Sequence, residues 1–218
     1  MTASRGAGER GRLLVFEGPD GSGKTTQVRL LRDRLAREGI PHLFVREPGG
    51  TELGEALRPV ILRGAEMNPR SELLLYLAAR AALVEEKILP ALAAGTLVVA
   101  DRFYLSSLVY QGYGRGLSLS EVTPIIEFAT QNLKPDLTLV MDVPPRTSRE
   151  RSQRKGPDRI ESADESFHER VRAGYLELAA ADAAIELVDA TPGVRAIHRA
   201  VLSILGRRWP ETFASASG

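Results

Sequence analysis

Apolar residues in this 218-residue chain gather in short runs, separated by longer stretches in which they recur every third or fourth position. The runs at Leu13–Glu17, His42–Arg46, 96–101, Leu137–Asp142 and Ile185–Asp189 predict five strands, several nearly continuous in Val, Leu and Ile. Continuous apolar strands belong to a sheet covered on both faces. Helical spacing predicts helices over 24–38, 70–94, 120–133, 167–184 and 194–207, with Pro90 kinking or shortening the second. Strands alternating with helices give an α/β fold with a five-stranded parallel sheet flanked by helices on both faces.

One stretch breaks the pattern. Residues 146–165 are polar, charge-rich and nearly free of large apolar side chains, which predicts a short mobile lid. With no repeat and no long linker, residues 11–209 read as a single domain. Residues 1–10 read as a disordered tail and 210–218 as a C-terminal tail.

Composition mostly excludes. There are 29 basic and 28 acidic residues, so nothing suggests a general nucleic-acid or membrane surface. No run approaches the length of a membrane span and the first ten residues lack a signal-peptide pattern, giving the expectation of a cytoplasmic protein. With no cysteine there are no disulfides, thiolate metal sites or thiol nucleophiles, and His42, His168 and His198 form no ligand pattern.

The sharpest chemical signal follows the first strand. Gly18-Pro19-Asp20-Gly21-Ser22-Gly23-Lys24-Thr25-Thr26 fits G-x-x-x-x-G-K-[ST]. Its glycines let consecutive backbone N–H groups face phosphate oxygens, and the next helix adds its positive end. Lys24 is expected to reach the β- and γ-phosphates of ATP, and Thr25 to ligate Mg²⁺. A GTPase would need an N-K-x-D motif, whereas the nearest segment, Asn132-Leu133-Lys134-Pro135-Asp136, has an extra residue and a proline. A motor or helicase would normally be longer.

A second anion site is indicated at Asp101-Arg102, at the carboxyl end of the third strand, where open α/β sheets bind ligands. Arg102 supplies a planar fork suited to a phosphate. Asp101 is expected to orient Mg²⁺ or its waters. Tyr76 and Arg80, four apart on one helix, project from one face and could form a base pocket.

Several motifs resemble the thymidylate kinase family. They are the loop Gly18–Thr26 with its acidic third residue, Arg46-Glu47-Pro48-Gly49-Gly50-Thr51, and Asp101-Arg102-Phe103 leading to Ser106-Ser107 and Tyr110-Gln111-Gly112. The lid segment Arg154-Lys155-Gly156-Pro157-Asp158-Arg159-Ile160-Glu161 is also similar. The resemblance implies transfer of the γ-phosphoryl of ATP to thymidine monophosphate, with Mg²⁺, in a homodimer. It implies that Asp20 accepts a hydrogen bond from the acceptor 3′-hydroxyl. Tyr76 would stack on the thymine beside Arg80, although the family more usually has phenylalanine there. Tyr110 would exclude a ribose 2′-hydroxyl, and Ser107 and Gln111 would contact the base. Arg46 either contacts the acceptor or holds the Pro48-Gly49-Gly50 turn. Asp189-Ala190-Thr191-Pro192-Gly193 either edges the adenine site or is a plain turn.

The phosphate loop carries no arginine, so a transferring arginine must come from elsewhere. Among Arg149, Arg151, Arg154, Lys155 and Arg159, Arg154 is the first candidate and Arg151 the second, resembling the branch with a catalytic arginine in the lid. The expected catalytic set is therefore Lys24, Arg102, Arg154 and Arg151. No general base is needed, because a monophosphate is largely ionised near neutral pH. The alternatives are another nucleotide or deoxynucleoside kinase, or a non-catalytic ATP-binding regulator.

Overall fold

The computed structural model describes residues 10–152 and 163–213. The five strands are β1 (Leu13–Glu17), β2 (His42–Arg46), β3 (Leu97–Asp101), β4 (Leu137–Asp142) and β5 (Ile185–Asp189). They form one all-parallel sheet in the order β2-β3-β1-β4-β5. All five residues of β1 are buried, as a central strand covered by helices on both faces requires.

The helices are α1 (Lys24–Arg37), α2 (Glu52–Arg63), α3 (Pro69–Leu83), α4 (Leu89–Ala93), α5 (Tyr104–Ser107), α6 (Leu119–Thr130), α7 (Pro145–Ser152), α8 (Glu165–Ala181), α9 (Val194–Arg208) and α10 (Pro210–Phe213). One core layer joins β1, β3 and β4 side chains such as Phe16, Val99 and Leu139 to Leu31 and Leu35 of α1 and Val201 of α9. The opposite layer sets Leu13, Val15 and Val98 against Leu83 of α3 and Ile88. Phe213 is fully buried in the first layer and stacks on Trp209, so packed chain continues past residue 209.

The long helix expected over 70–94 is a rod in three pieces. A π-helical turn, Val84–Ile88, joins α3 to α4, and Pro90 sits in the first turn of α4, where its missing N–H costs least. A second π-helical segment, Leu108–Gly114, follows α5 and packs against α8. Sequence periodicity missed α2 altogether. Its start is capped by the Thr51 side chain accepting from Gly54 N, and Leu53, Leu57, Val60 and Ile61 recur along it at helical spacing, but Pro59 lies inside it.

Candidate active site

The loop between β1 and α1 is held tightly from below. A Cβ at Gly18 (φ 127°) would lie 2.6 Å from the Met141 carbonyl oxygen, so only glycine fits. Lys24 folds back over the loop and donates to the Gly18 and Pro19 carbonyls, each at 2.8 Å. Burial, reinforced by nearby Arg102, brings its ammonium pKa down to about 8. Ser22 Oγ is buried with no hydrogen-bond partner among the described residues.

At the mouth of the loop Thr25 Oγ1 donates to Asp101 Oδ2 at 2.8 Å. Two hard oxygens side by side fit Mg²⁺, which keeps most of its shell for water and phosphate. The described residues contain no cluster of three or more His, Asp or Glu side chains that could hold a metal ion.

The register of β1 against β3 pairs Phe16 with Asp101, which brings Arg102 beside the phosphate loop. Arg102 has φ 75°, a conformation that L side chains rarely adopt, and its N–H donates to the Phe16 carbonyl at 2.9 Å. Its Nη2 donates to Asp20 Oδ1 at 2.6 Å and its Nη1 to Ser106 Oγ at 3.0 Å, while the guanidinium lies 5.2 Å from the Tyr110 ring centre. Burial pushes the Asp20 carboxyl up, but Arg102 and Lys24 outweigh it and hold the group below its ordinary range. Burial raises the Tyr110 phenol, so it stays neutral.

Beneath this arginine sits Glu17, fully buried. It accepts from Phe103 N (2.9 Å), Ser106 N (3.1 Å), Ser106 Oγ (2.6 Å) and Tyr175 OH (2.9 Å). One carboxylate thus ties the end of β1 to the Arg102 turn and to α8.

A cavity of about 550 Å³, open to solvent, starts at this arginine. The structure gathers Asp20, Arg102, Ser107, Tyr110, Gln111 and Tyr76 around it. Arg80 is not among the lining residues: it lies behind them, 1% exposed, with Nε and Nη2 on Glu47 (2.6–3.0 Å), Nη1 on Ser107 Oγ (2.9 Å) and Nη2 also on the Phe103 carbonyl (3.0 Å). Burial lifts the Glu47 carboxyl above the ordinary range, which the adjoining Arg80 charge counters. Gln111 Nε2 donates to buried Glu72 at 2.8 Å.

Arg46 also stands apart from the cavity, exposed and paired with Glu55, whose Oε1 takes the Gly50 N–H as well; this is the turn-holding arrangement. Sequence reading missed Arg58 and Leu62, which line the cavity together with Pro48 of the Arg46–Thr51 motif. Arg58 donates to the Pro48 carbonyl and lies on α2, so recognising Thr51 as a helix cap would have been the signal for it.

On the donor side, α7 sits on the phosphate loop. A Cβ at Gly21 would lie 2.3 Å from the Ser148 carbonyl oxygen, and Ser148 Oγ donates to the Asp20 carbonyl. Arg151 reaches across to the segment after β5, donating to the carbonyls of Ala190 (2.7 Å) and Thr191 (3.0 Å). Arg154, Lys155 and Arg159 lie outside the described residues.

Comparison with known proteins agrees with this geometry. A family model described as thymidylate kinase matches residues 16–201. The thymidylate kinase of Caldanaerobacter subterraneus subsp. tengcongensis is 48% identical over 195 residues, covering 88% of this chain and 94% of that protein. That of Kosmotoga olearia is 48% identical over 193 residues, covering 87% and 93%. The crystal structure of thymidylate kinase from Ehrlichia chaffeensis superposes with a TM-score of 0.76 at 29% identity, covering 90% of this chain and 99% of that one. A phosphate loop facing an arginine-headed pocket on this sheet, matched over nearly its whole length by such relatives, places the chain in the thymidylate kinase family.

Proposed function

We propose that this protein transfers the γ-phosphoryl group of ATP to thymidine 5′-monophosphate, giving ADP and thymidine diphosphate for dTTP synthesis. One observation carries the residue-level reading: Arg102, at the head of the cavity, lies 2.6 Å from Asp20 inside the phosphate loop, so an acceptor phosphate on Arg102 abuts the donor phosphates.

In this reading the loop N–H groups and Lys24 hold the triphosphate, and Thr25 with Asp101 holds Mg²⁺, which supplies neutralising charge when bound. Arg102 fixes the 5′-phosphate, Asp20 accepts from the 3′-hydroxyl, Tyr76 stacks on the base and Tyr110 excludes a 2′-hydroxyl. An ionised acceptor oxygen attacks the γ-phosphorus in line, forming a new P–O bond as the bond to the β–γ bridging oxygen breaks and ADP leaves. No base is required, because the second pKa of a monophosphate is about 6. The residues contribute alignment and positive charge. Arg154 and Arg151 are the arginines proposed to follow the transferring group.

The chain is also proposed to act as a homodimer in the cytoplasm, where ATP is supplied. Leu53, Val60, Leu74, Ile125 and Phe128, on α2, α3 and α6, leave apolar surface exposed, Phe128 at 86%. A second copy covering it is the reading it supports. No helix among the described residues is long and apolar enough to cross a membrane.

ADP release across a panel of monophosphates tests the function. Turnover that depends on thymidine monophosphate is the expected result, and equal ADP release without any acceptor would contradict it.

A further inference from the structure

The base end of the cavity is lined by two polar side chains whose hydrogen-bonding sense is set from behind. Gln111 and Ser107 are each 1% exposed and both line it. Gln111 Nε2 donates to Glu72 Oε1 at 2.8 Å. Turning that amide over would press its carbonyl oxygen against a carboxylate oxygen, two acceptors with no proton between them, so the orientation is fixed. With Nε2 turned to Glu72, the amide oxygen Oε1 is the acceptor Gln111 has left for a ligand. Glu72 is itself held, with 1% exposure and its Oε2 3.4 Å from Arg115 Nη2.

On the neighbouring position the sense is opposite. Ser107 Oγ accepts from Arg80 Nη1 at 2.9 Å, and Arg80 is locked by Glu47. An arginine only donates, and a hydroxyl that has accepted still has its proton to give. That side of the pocket presents donors.

We propose that Glu72, working through Gln111 opposite the Arg80–Ser107 pair, is a positioning residue that sets the hydrogen-bond polarity of the pocket and thereby selects the base. A donor beside an acceptor complements a ring edge with C=O next to N–H, as thymine has at O4 and N3. Cytosine carries an amino group and a bare ring nitrogen there, so both contacts would be mismatched, and each buried polar group left unpaired is costly. This inference rests on the reading of the cavity as the acceptor site.

Glu72→Gln tests it. Because Arg115 can only donate, it takes the single amide oxygen of the new side chain, turning the NH₂ toward Gln111. Gln111 then accepts from it and offers its own NH₂ to the pocket. The ratio of kcat/KM for thymidine monophosphate to that for deoxycytidine monophosphate should fall about tenfold or more, while KM for ATP and the melting temperature stay unchanged. An unchanged ratio in a folded variant overturns the proposal, since a merely structural role would lower both activities together.

Should the variant not fold, the unaltered protein gives the answer by NMR. The Gln111 side-chain NH₂ signal, assigned by its loss in Gln111→Leu, should be protected from exchange and hardly move when thymidine monophosphate binds. A large shift showing that this NH₂ donates to the ligand overturns the proposal. If the unaltered protein does not phosphorylate thymidine monophosphate, the reading of the site fails instead, so the two failures are distinguishable.

Discussion

The acceptor and donor sides of this site are held by different kinds of contact. On the acceptor side three arginines are matched to carboxylates, Arg102 to Asp20 with Glu17 beneath it, Arg80 to Glu47, and Arg115 to Glu72, while Arg58 donates to the Pro48 carbonyl. On the donor side Lys24 and Arg151 donate to backbone carbonyls, of Gly18 and Pro19 and of Ala190 and Thr191, with Asp20 no nearer to Lys24 than 4.0 Å. Ion pairs with low exposure keep a side chain in one place, whereas neutral carbonyls yield a cation readily to an arriving phosphate. On the proposed reading the acceptor pocket is built before substrate arrives, and Lys24 and Arg151 leave their carbonyls when ATP binds.

Arg102→Ala should break the acceptor side outright. It removes the phosphate contact and leaves Asp20 with Lys24 as its remaining counter-charge, so kcat/KM for thymidine monophosphate should fall about 1000-fold with KM for ATP within about twofold. Normal turnover in that variant would refute the acceptor assignment.

Lys24→Met should lower turnover about 100-fold or more, and it sharpens the comparison through pH. Folding carries the Lys24 pKa from the ordinary lysine value down to about 8. Between those values the unfolded chain holds a proton that the folded chain has released, so this group adds stability as pH rises. Relative to Lys24→Met, the unaltered ATP-free protein should gain roughly 3 kcal/mol between pH 8 and 10.5, read by denaturant unfolding. A constant difference across that window would show that the ammonium is not confined.

The sequence made one side of this contrast easier to see than the other. Gly18–Thr26 and Asp101-Arg102 stand at strand ends, where local pattern and chemistry coincide, and Tyr110 and Gln111 follow within ten residues. The carboxylates beneath them could not be read the same way. Glu17 meets Tyr175 across 158 positions and Gln111 meets Glu72 across 39, and no periodicity encodes a pairing that only the sheet order brings about. Helix α2 carries Leu53, Leu57, Val60 and Ile61 at helical spacing, but Pro59 interrupts it, and Arg58 was passed over with it.

Tyr175→Phe tests those buried supports. It deletes the hydroxyl that donates to Glu17 and leaves the ring in the core with Tyr110, so KM for thymidine monophosphate should rise about tenfold without a matching loss in melting temperature. A fall in stability with KM unchanged would make Tyr175 a packing residue only. Arg151→Ala should have the smallest effect, a rise of about threefold to tenfold in KM for ATP together with a lower kcat, since it frees the Ala190–Thr191 carbonyls. If Arg151 and Arg154 can be removed together without loss, the lid carries no transferring arginine.

Calorimetric titration of the ATP-free protein with thymidine monophosphate tests the contrast most directly. Binding at one site per chain, with an affinity that a non-hydrolysable ATP analogue changes by no more than about threefold, is what a pre-built acceptor pocket requires. Absence of binding until the analogue is added would show that the pocket forms only on demand, and would contradict the account.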